Sequence, residues 1–340
     1  MTNEIRKKTA FLTGGTGFVG FNVARHLTNS GWNVIALHRR GSDLTYLKRL
    51  PVALAIGDIL EPETITHAMP DQVDAVFHVA ADLNMWSRRN AVQTAVNVDG
   101  TNNMVAAALD RQAGRFILTS TISAFGHHNT PVSETTPGNA AASRVNYERS
   151  KWQAEEAVRR AGRQGLFTVI INPCAIFGPW DTHSWARMIF MIRDGKLKGI
   201  PPGSVVINHV DEVARAHLAA VEHGGNGENY ILNGEAISFE GLFRLIAELI
   251  GVELKARVMP SLLLKLMARI ETTLATFTGK PPEMTPEMAA LMCAHTRCAT
   301  DKAERVLGYK RIPVRTCVED SIAWLRSENL LYEKGSNPFS

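Results

Sequence analysis

Short apolar runs alternate with longer amphipathic stretches over the first 170 residues of the chain. The runs are TAFLT (9–13), NVIAL (33–37), VALAI (52–56), AVFHV (75–79), FILTS (116–120) and FTVII (167–171), and NYILN (229–233) is a later one. Runs of this length, rich in β-branched and aromatic residues, read as strands. The segments between them are long enough for helices, notably 91–109 and 146–162. Strand and helix alternating in this way predicts βαβ units and a parallel sheet. After residue 172 the rhythm breaks: prolines and glycines cluster in NPCAIFGPW (172–180) and GIPPGS (199–204), and helical patterns dominate from 239 onward. FEGLFRLIAELIG (239–251) repeats apolar residues at helical spacing and ends on Gly251. The chain has no internal repeat and no low-complexity tract.

Directly after the first strand stands TGGTGFVG, Thr13 to Gly20, running into FNVARHL. Gly14, Gly17 and Gly20 are three apart, and Gly15, Gly17 and Gly20 also fit G-x-G-x-x-G. Glycine suits a backbone that must turn tightly, approach a pyrophosphate closely and bring a helix near a strand, while the helix N-terminus offers free N–H groups. Because the motif follows a strand, opens a helix and starts a βαβ unit, it predicts dinucleotide binding. The expected architecture is therefore α/β: a Rossmann-type doubly wound parallel sheet over 1–175, completed by about 205–233. A smaller, mostly helical C-terminal lobe for substrate takes 176–204 and 234–335.

An NAD site wants an acidic residue at the end of the second strand, where it bonds the ribose hydroxyl. Here His38, Arg39 and Arg40 occupy that place. A carboxylate would repel a 2′-phosphate and guanidinium groups bind one, so NADP(H) is the preferred cofactor, with NAD(H) the other candidate.

The fifth strand ends ILTSTISAFG (117–126), which sets Ser120, Thr121 and Ser123 at the carboxyl edge of the sheet, where open α/β folds bind ligands. Tyr147 and Lys151 follow, four apart, on one face of the 146–162 helix. A hydroxyl donor, a phenol and an ammonium beside a nicotinamide make a carbonyl-reduction site. A phenol titrates near 10, and lowering that by about 3 units takes roughly 4 kcal/mol, which Lys151 together with the positive nicotinamide ring of the oxidised cofactor is expected to supply in a water-poor site. Thr121 or Ser120 would hold the substrate oxygen where charge develops.

Together these motifs resemble the extended short-chain dehydrogenase/reductase family, also called the NAD-dependent epimerase/dehydratase family, over essentially the full length. The matching pieces are TGGTGFVG, GDI (57–59), HVAA (78–81), NVDGT (97–101), TST (119–121), YERSK (147–151), NPCAIFGP (172–179), NHVDEVARAH (208–217) and DKAERVLGYK (301–310). The resemblance implies that Tyr147 donates the proton, that Lys151 binds the nicotinamide ribose and tunes Tyr147, and that Thr121, with Ser120, fills the Ser/Thr slot. It implies cofactor contacts at Gly14, Thr16, Gly17, Phe18 and Val19, and adenine contacts at Asp58 and Ile59. Further contacts are implied at Ala80, Ala81, Asn97 and Pro173. Family members acting on nucleotide sugars carry an arginine before the motif that reads SVVINHVDEVA here, and Val205 and Val206 stand in its place. The chain therefore looks closer to the dihydroflavonol-reductase and 3β-hydroxysteroid-dehydrogenase-like branch, including hopanoid-cluster homologues. That branch interconverts ketones or aldehydes and alcohols on apolar or aromatic small molecules. The other readings are a nucleotide-sugar epimerase or dehydratase with tightly bound NAD(P), and a non-catalytic NADP(H)-sensing regulator.

Loops 82–90 and 179–188 follow the fourth and sixth strands, and Met85, Trp86, Trp180 and Trp185, with Ser123, are the candidate substrate residues. Arg88 and Arg89 read as solvated charge or as partners of a carboxylate. The Leu- and Met-rich 261–292 segment reads as core, or as an adaptable ligand wall. The family commonly dimerises through the helices at 91–109 and 146–162, so a homodimer is implied by resemblance.

Composition narrows the classes. Apolar residues make 45% and charged residues 21% of 340, which is ordinary for a globular enzyme. A net charge of +4 from 37 basic and 33 acidic residues, without basic runs carrying aromatics, does not predict a nucleic-acid partner. The longest apolar stretch, SLLLKLMARI (261–270), is broken by Lys265 and Arg269, so no membrane span is expected. MTNEIRKK opens with charges of both signs, unlike a secretory leader. The four cysteines, Cys174, Cys293, Cys298 and Cys317, read as reduced thiols in the cytoplasm. Neither Cys293-x-His295-x-x-Cys298 nor His127-His128 has the further ligands of a metal site.

Overall fold

The computed structural model describes residues 6–331; Met1–Ile5 of the opening stretch and 332–335, assigned above to the second lobe, lie outside the described residues. Seven strands form the main sheet. They are β1 (Thr9–Thr13), β2 (Asn33–His38), β3 (Ala53–Ile56), β4 (Ala75–His78), β5 (Phe116–Thr119), β6 (Thr168–Pro173) and β9 (Glu228–Leu232). All pair in parallel in the order β3-β2-β1-β4-β5-β6-β9. Each matches an apolar run of the sequence to within two residues. The order reverses between β1 and β4, which opens a crevice outside their carboxyl ends.

The helices are α1 (Phe18–Asn29), α2 (Pro62–Ala68), α3 (Asn90–Thr94), α4 (Gly100–Asp110), α5 (Asn146–Arg163), α6 (Ala186–Arg193) and α7 (Val210–His223). The C-terminal part adds α8 (Phe239–Ile250), α9 (Ser261–Thr278), α10 (Pro286–Met292), α11 (Lys302–Leu307) and α12 (Val314–Ser327). A π-turn at Ala95–Asp99 joins α3 to α4, so the helix expected over 91–109 is one run with a widened turn inside it. Gly251 ends α8 in the left-handed conformation at φ +72°, which a side chain would strain.

Because side chains alternate across a strand, successive residues feed different layers. Leu12 points into the layer with Phe21, Leu27, Val213 and Tyr230 under α1 and α7. Its neighbour Phe11 points into the layer with Ile65, Met104 and Val158 under α2, α4 and α5. A third core, with Phe177, Ile189, Ile207, Phe243 and Ile322, belongs to the C-terminal part. It surrounds a second sheet in the order β10-β8-β7, built from β7 (Ala175–Phe177), β8 (Ser204–His209) and β10 (Glu235–Ser238). The apolar pattern did not disclose this sheet, because β7 has three residues between prolines and β10 has four. Among the described residues no helix is long and apolar enough to cross a membrane.

Candidate active site

The glycine turn is held by contacts that exclude side chains. Gly14 has φ +75°, and a Cβ there would sit 2.6 Å from the Ala80 nitrogen. A Cβ on Gly20 would come 2.1 Å from the Gly14 carbonyl oxygen, and that same oxygen accepts from the Gly17 N–H at 2.9 Å. Helix α1 thus starts pressed against β1 with no side chain capping its N-terminus. Its first N–H groups are left for a ligand. Above the turn runs a cavity of about 1550 Å³ along the carboxyl ends of the central strands. That exceeds the room one drug-sized ligand takes. The uncapped helix end, the glycine cradle and the length of the crevice fit a dinucleotide with a second small molecule beyond it.

Most residues singled out in the sequence converge on this cavity. Gly14, Thr16, Gly17, Phe18, Val19, Arg39, Asp58, Ile59, Ala80, Ala81 and Pro173 line one part, and Ser120, Thr121, Ser123, Tyr147 and Lys151 the middle. Met85, Trp180 and Trp185 line the far part. Three do not reach it. Arg40 faces an adjoining groove that it shares with Arg39, Ser42 and Asp58. The Trp86 indole N–H is buried without a partner among the described residues, and the Arg88 guanidinium lies over its ring. Asn97, in the π-turn, accepts from the Asp82 N–H at 2.7 Å and donates to the Asp82 carbonyl at 3.0 Å and to Ser150 Oγ at 3.0 Å. It thereby fixes the start of the 82–90 loop from behind.

At the centre, Thr121 has extended backbone and caps a 3-10 turn (Ile122–Phe125), its hydroxyl accepting from the Ser123 N–H at 3.3 Å. Burial pushes the Tyr147 phenol up to about 12, against the pull of the neighbouring Thr121 side chain and with a smaller push from the charge of Glu148. The sequence reading expected Lys151 and the positive nicotinamide ring together to pull it down; the protein's own groups shift it the other way. The reason is that Lys151 is itself buried and its Nζ donates to the Thr119 carbonyl at 2.8 Å, rather than to the phenol. Burial lowers the Lys151 ammonium to about 8, while the charge of Glu155 raises it. Near neutral pH the site thus holds a protonated phenol beside an ammonium. The Ser120 hydroxyl is buried without a partner among the described residues.

Behind these groups lies a polar layer that sequence reasoning missed. Asn172, fully buried on β6, donates to the Thr121 carbonyl at 3.0 Å and to Glu155 Oε1 at 2.6 Å. Asn229 donates to Asn172 Oδ1 at 2.8 Å and to Glu155 Oε2 at 3.2 Å, and Arg159 donates to Glu155 Oε2 at 3.0 Å. The Thr119 hydroxyl meets His217 Nε2 at 2.7 Å. His78 sits between Thr13 at 2.8 Å and Thr101 at 3.1 Å, and burial holds it neutral by lowering it to about 3. Two signals were present in the sequence: Glu155 stands one turn beyond Lys151, and Asn172 interrupts an apolar strand.

The far part of the cavity is mostly apolar, with Arg187, Lys198, Glu271, Glu283, His295 and Arg297 also in the lining. Val205 and Val206 line it with Met188, Phe239 and Phe243, and the 261–292 segment contributes Leu264, Met267, Met284, Met288 and Leu291. That segment therefore forms cavity wall as well as core. Trp180 holds a left-handed backbone at φ +77°, its ring packed on Phe21 at 4.5 Å and Trp324 at 5.2 Å. Trp185 stacks on Phe177 at 5.2 Å.

A model of the NAD dependent epimerase/dehydratase family matches residues 10–233. The chain is 28% identical to Sterol demethylase protein B of Methylococcus capsulatus, with 95% of this chain and 100% of that one covered. It is 29% identical to the 2-alkyl-3-oxoalkanoate reductase of Stenotrophomonas maltophilia, covering 94% and 98%. Among solved structures, gox2253 superposes with a TM-score of 0.83 at 34% identity, covering 96% of this chain and all of that one.

Proposed function

The chain belongs to the NAD dependent epimerase/dehydratase family, and on that premise we propose that it is an NADP(H)-dependent reductase of a ketone or aldehyde on an apolar small molecule, or the dehydrogenase of the matching alcohol. The observation that carries the reading is the junction of Thr121, Tyr147 and Lys151 with an apolar chamber on one side and a dinucleotide-sized cradle on the other. When bound, the dinucleotide supplies or accepts the hydride.

The protein supplies the rest. The Thr121 and Ser120 hydroxyls hold the carbonyl oxygen, and Tyr147 gives that oxygen its proton as negative charge develops there. A phenol held near 12 keeps its proton until the oxygen becomes strongly basic. The Lys151 ammonium offsets the phenolate left behind, and its grip on Thr119 keeps β5 and α5 in register. Arg39 and Arg40, without ion pairs among the described residues, support a 2′-phosphate at the end of β2. An apolar substrate is supported by Val205 and Val206 in the chamber wall, and by two relatives whose names concern a sterol demethylase protein and an alkyl-oxoalkanoate reductase.

The test is NADPH absorbance with a panel of alkyl, cyclic and aromatic ketones and, in parallel, nucleotide sugars. Steady NADPH consumption with apolar ketones is expected. Turnover of a nucleotide sugar without net change in absorbance would overturn the proposal.

A further inference from the structure

Six large apolar side chains stand exposed on one helix, α9: Leu262 (81%), Leu263, Leu266, Ile270, Leu274 and Phe277 (84%). At 3.6 residues per turn they share an arc of about 120°, so they form a single ridge along the helix. The opposite face is buried through Leu264, Ala268 and Ala275, and Leu264 and Met267 continue into the cavity wall. Lys265 and Arg269, both exposed, border the ridge on one edge. The one acidic residue of α9, Glu271, is drawn away from it by Lys198 at 2.9 Å and the Met284 N–H at 3.1 Å. Arg88 adds a further cation at the C-terminal end, donating to the Thr276 carbonyl at 3.1 Å.

We propose that α9 lies in the plane of an anionic lipid surface, its ridge in the acyl boundary and its cations among the headgroups. An exposed apolar ridge of this size marks a contact surface. Two observations select lipid. The exposed sector joins apolar and basic residues in the manner of a helix that rests in a membrane interface. It carries no free carboxylate, so pairing with a second copy would set like charges together without partners. The inner face of α9 is cavity wall, and the chamber therefore sits directly behind the lipid contact. The proposal does not rest on the reaction assigned above.

The test is sedimentation of the full-length protein with vesicles of phosphatidylcholine alone and of equal parts phosphatidylcholine and phosphatidylglycerol. Wild type is expected to pellet with the anionic vesicles. Leu266→Glu/Ile270→Glu, at two exposed positions, is expected to lower the bound fraction about tenfold without changing the melting temperature. Lys265→Gln/Arg269→Gln is expected to remove the preference for anionic vesicles while leaving the ridge intact, which keeps the proposal testable if the first variant does not fold. Wild type remaining in the supernatant, or binding unaltered in both folded variants, would overturn it. So would gel filtration showing that the Glu variant breaks an assembly of identical chains.

Discussion

Replacing Asn172 with Ala tests the polar layer behind the reacting centre. The side chain is fully buried and makes three bonds: to Glu155 Oε1 at 2.6 Å, to the Thr121 carbonyl at 3.0 Å, and from Asn229 at 2.8 Å. A bond to a charged group is worth about 1.5–3 kcal/mol and each neutral one about 1, so the loss sums to roughly 4 kcal/mol. That changes the ratio of folded to unfolded molecules about a thousandfold. The cost is high because water cannot replace the amide: Glu155 Oε1 is left unpaired, while the Thr121 carbonyl and the Asn229 amide each keep one other bond, to the Ala124 N–H at 3.1 Å and to Glu155 Oε2 at 3.2 Å. Urea unfolding followed by tryptophan fluorescence measures it. Activity should fall as well, because the Thr121 carbonyl loses one of its two donors, the Ala124 N–H remaining, and the hydroxyl beside it is held less firmly. We expect kcat/KM to drop at least about tenfold while dinucleotide affinity stays within a few fold. Asn172→Asp should do no better, since it sets a second carboxylate against Glu155. A stability loss under about 1 kcal/mol with normal turnover in Asn172→Ala would refute the reasoning.

Tyr147→Phe should cut kcat by about a hundredfold or more with dinucleotide affinity nearly unchanged, since it removes one proton donor and no cradle contact; single-turnover rates check this. With Lys151 lowered to about 8, kcat/KM should fall as pH rises through that value and the ammonium is lost, and a flat profile to pH 10 would contradict the assignment. The linked effect on stability has the opposite sign. Between about 8 and the ordinary lysine value of 10.5 the unfolded chain holds a proton that the folded one has released, so this group makes folding more favourable as pH rises across that window. Arg39→Ala/Arg40→Ala should weaken NADPH binding about tenfold or more and leave NADH binding nearly unchanged, as read by calorimetry; equal losses for both would place the 2′-phosphate elsewhere.

The main sheet, the glycine turn and the Tyr147–Lys151 pair were legible in the amino-acid order because each is encoded locally. A strand is an apolar run, a cradle is three glycines at fixed spacing, and two side chains four apart share a helix face whatever the rest of the chain does. Packing alone decided the remainder. The second sheet joins three short strands whose neighbours in sequence are turns, and the layer behind Thr121 joins residues 17, 51, 57 and 74 positions apart. The direction in which Tyr147 titrates belongs to the same class. Spacing placed a cation near the phenol, but how much water each loses, and that the ammonium turns to a carbonyl instead, depends on every element folded around them. Local spacing sets which groups can meet; burial sets their charge and their partners, and burial is a property of the whole fold.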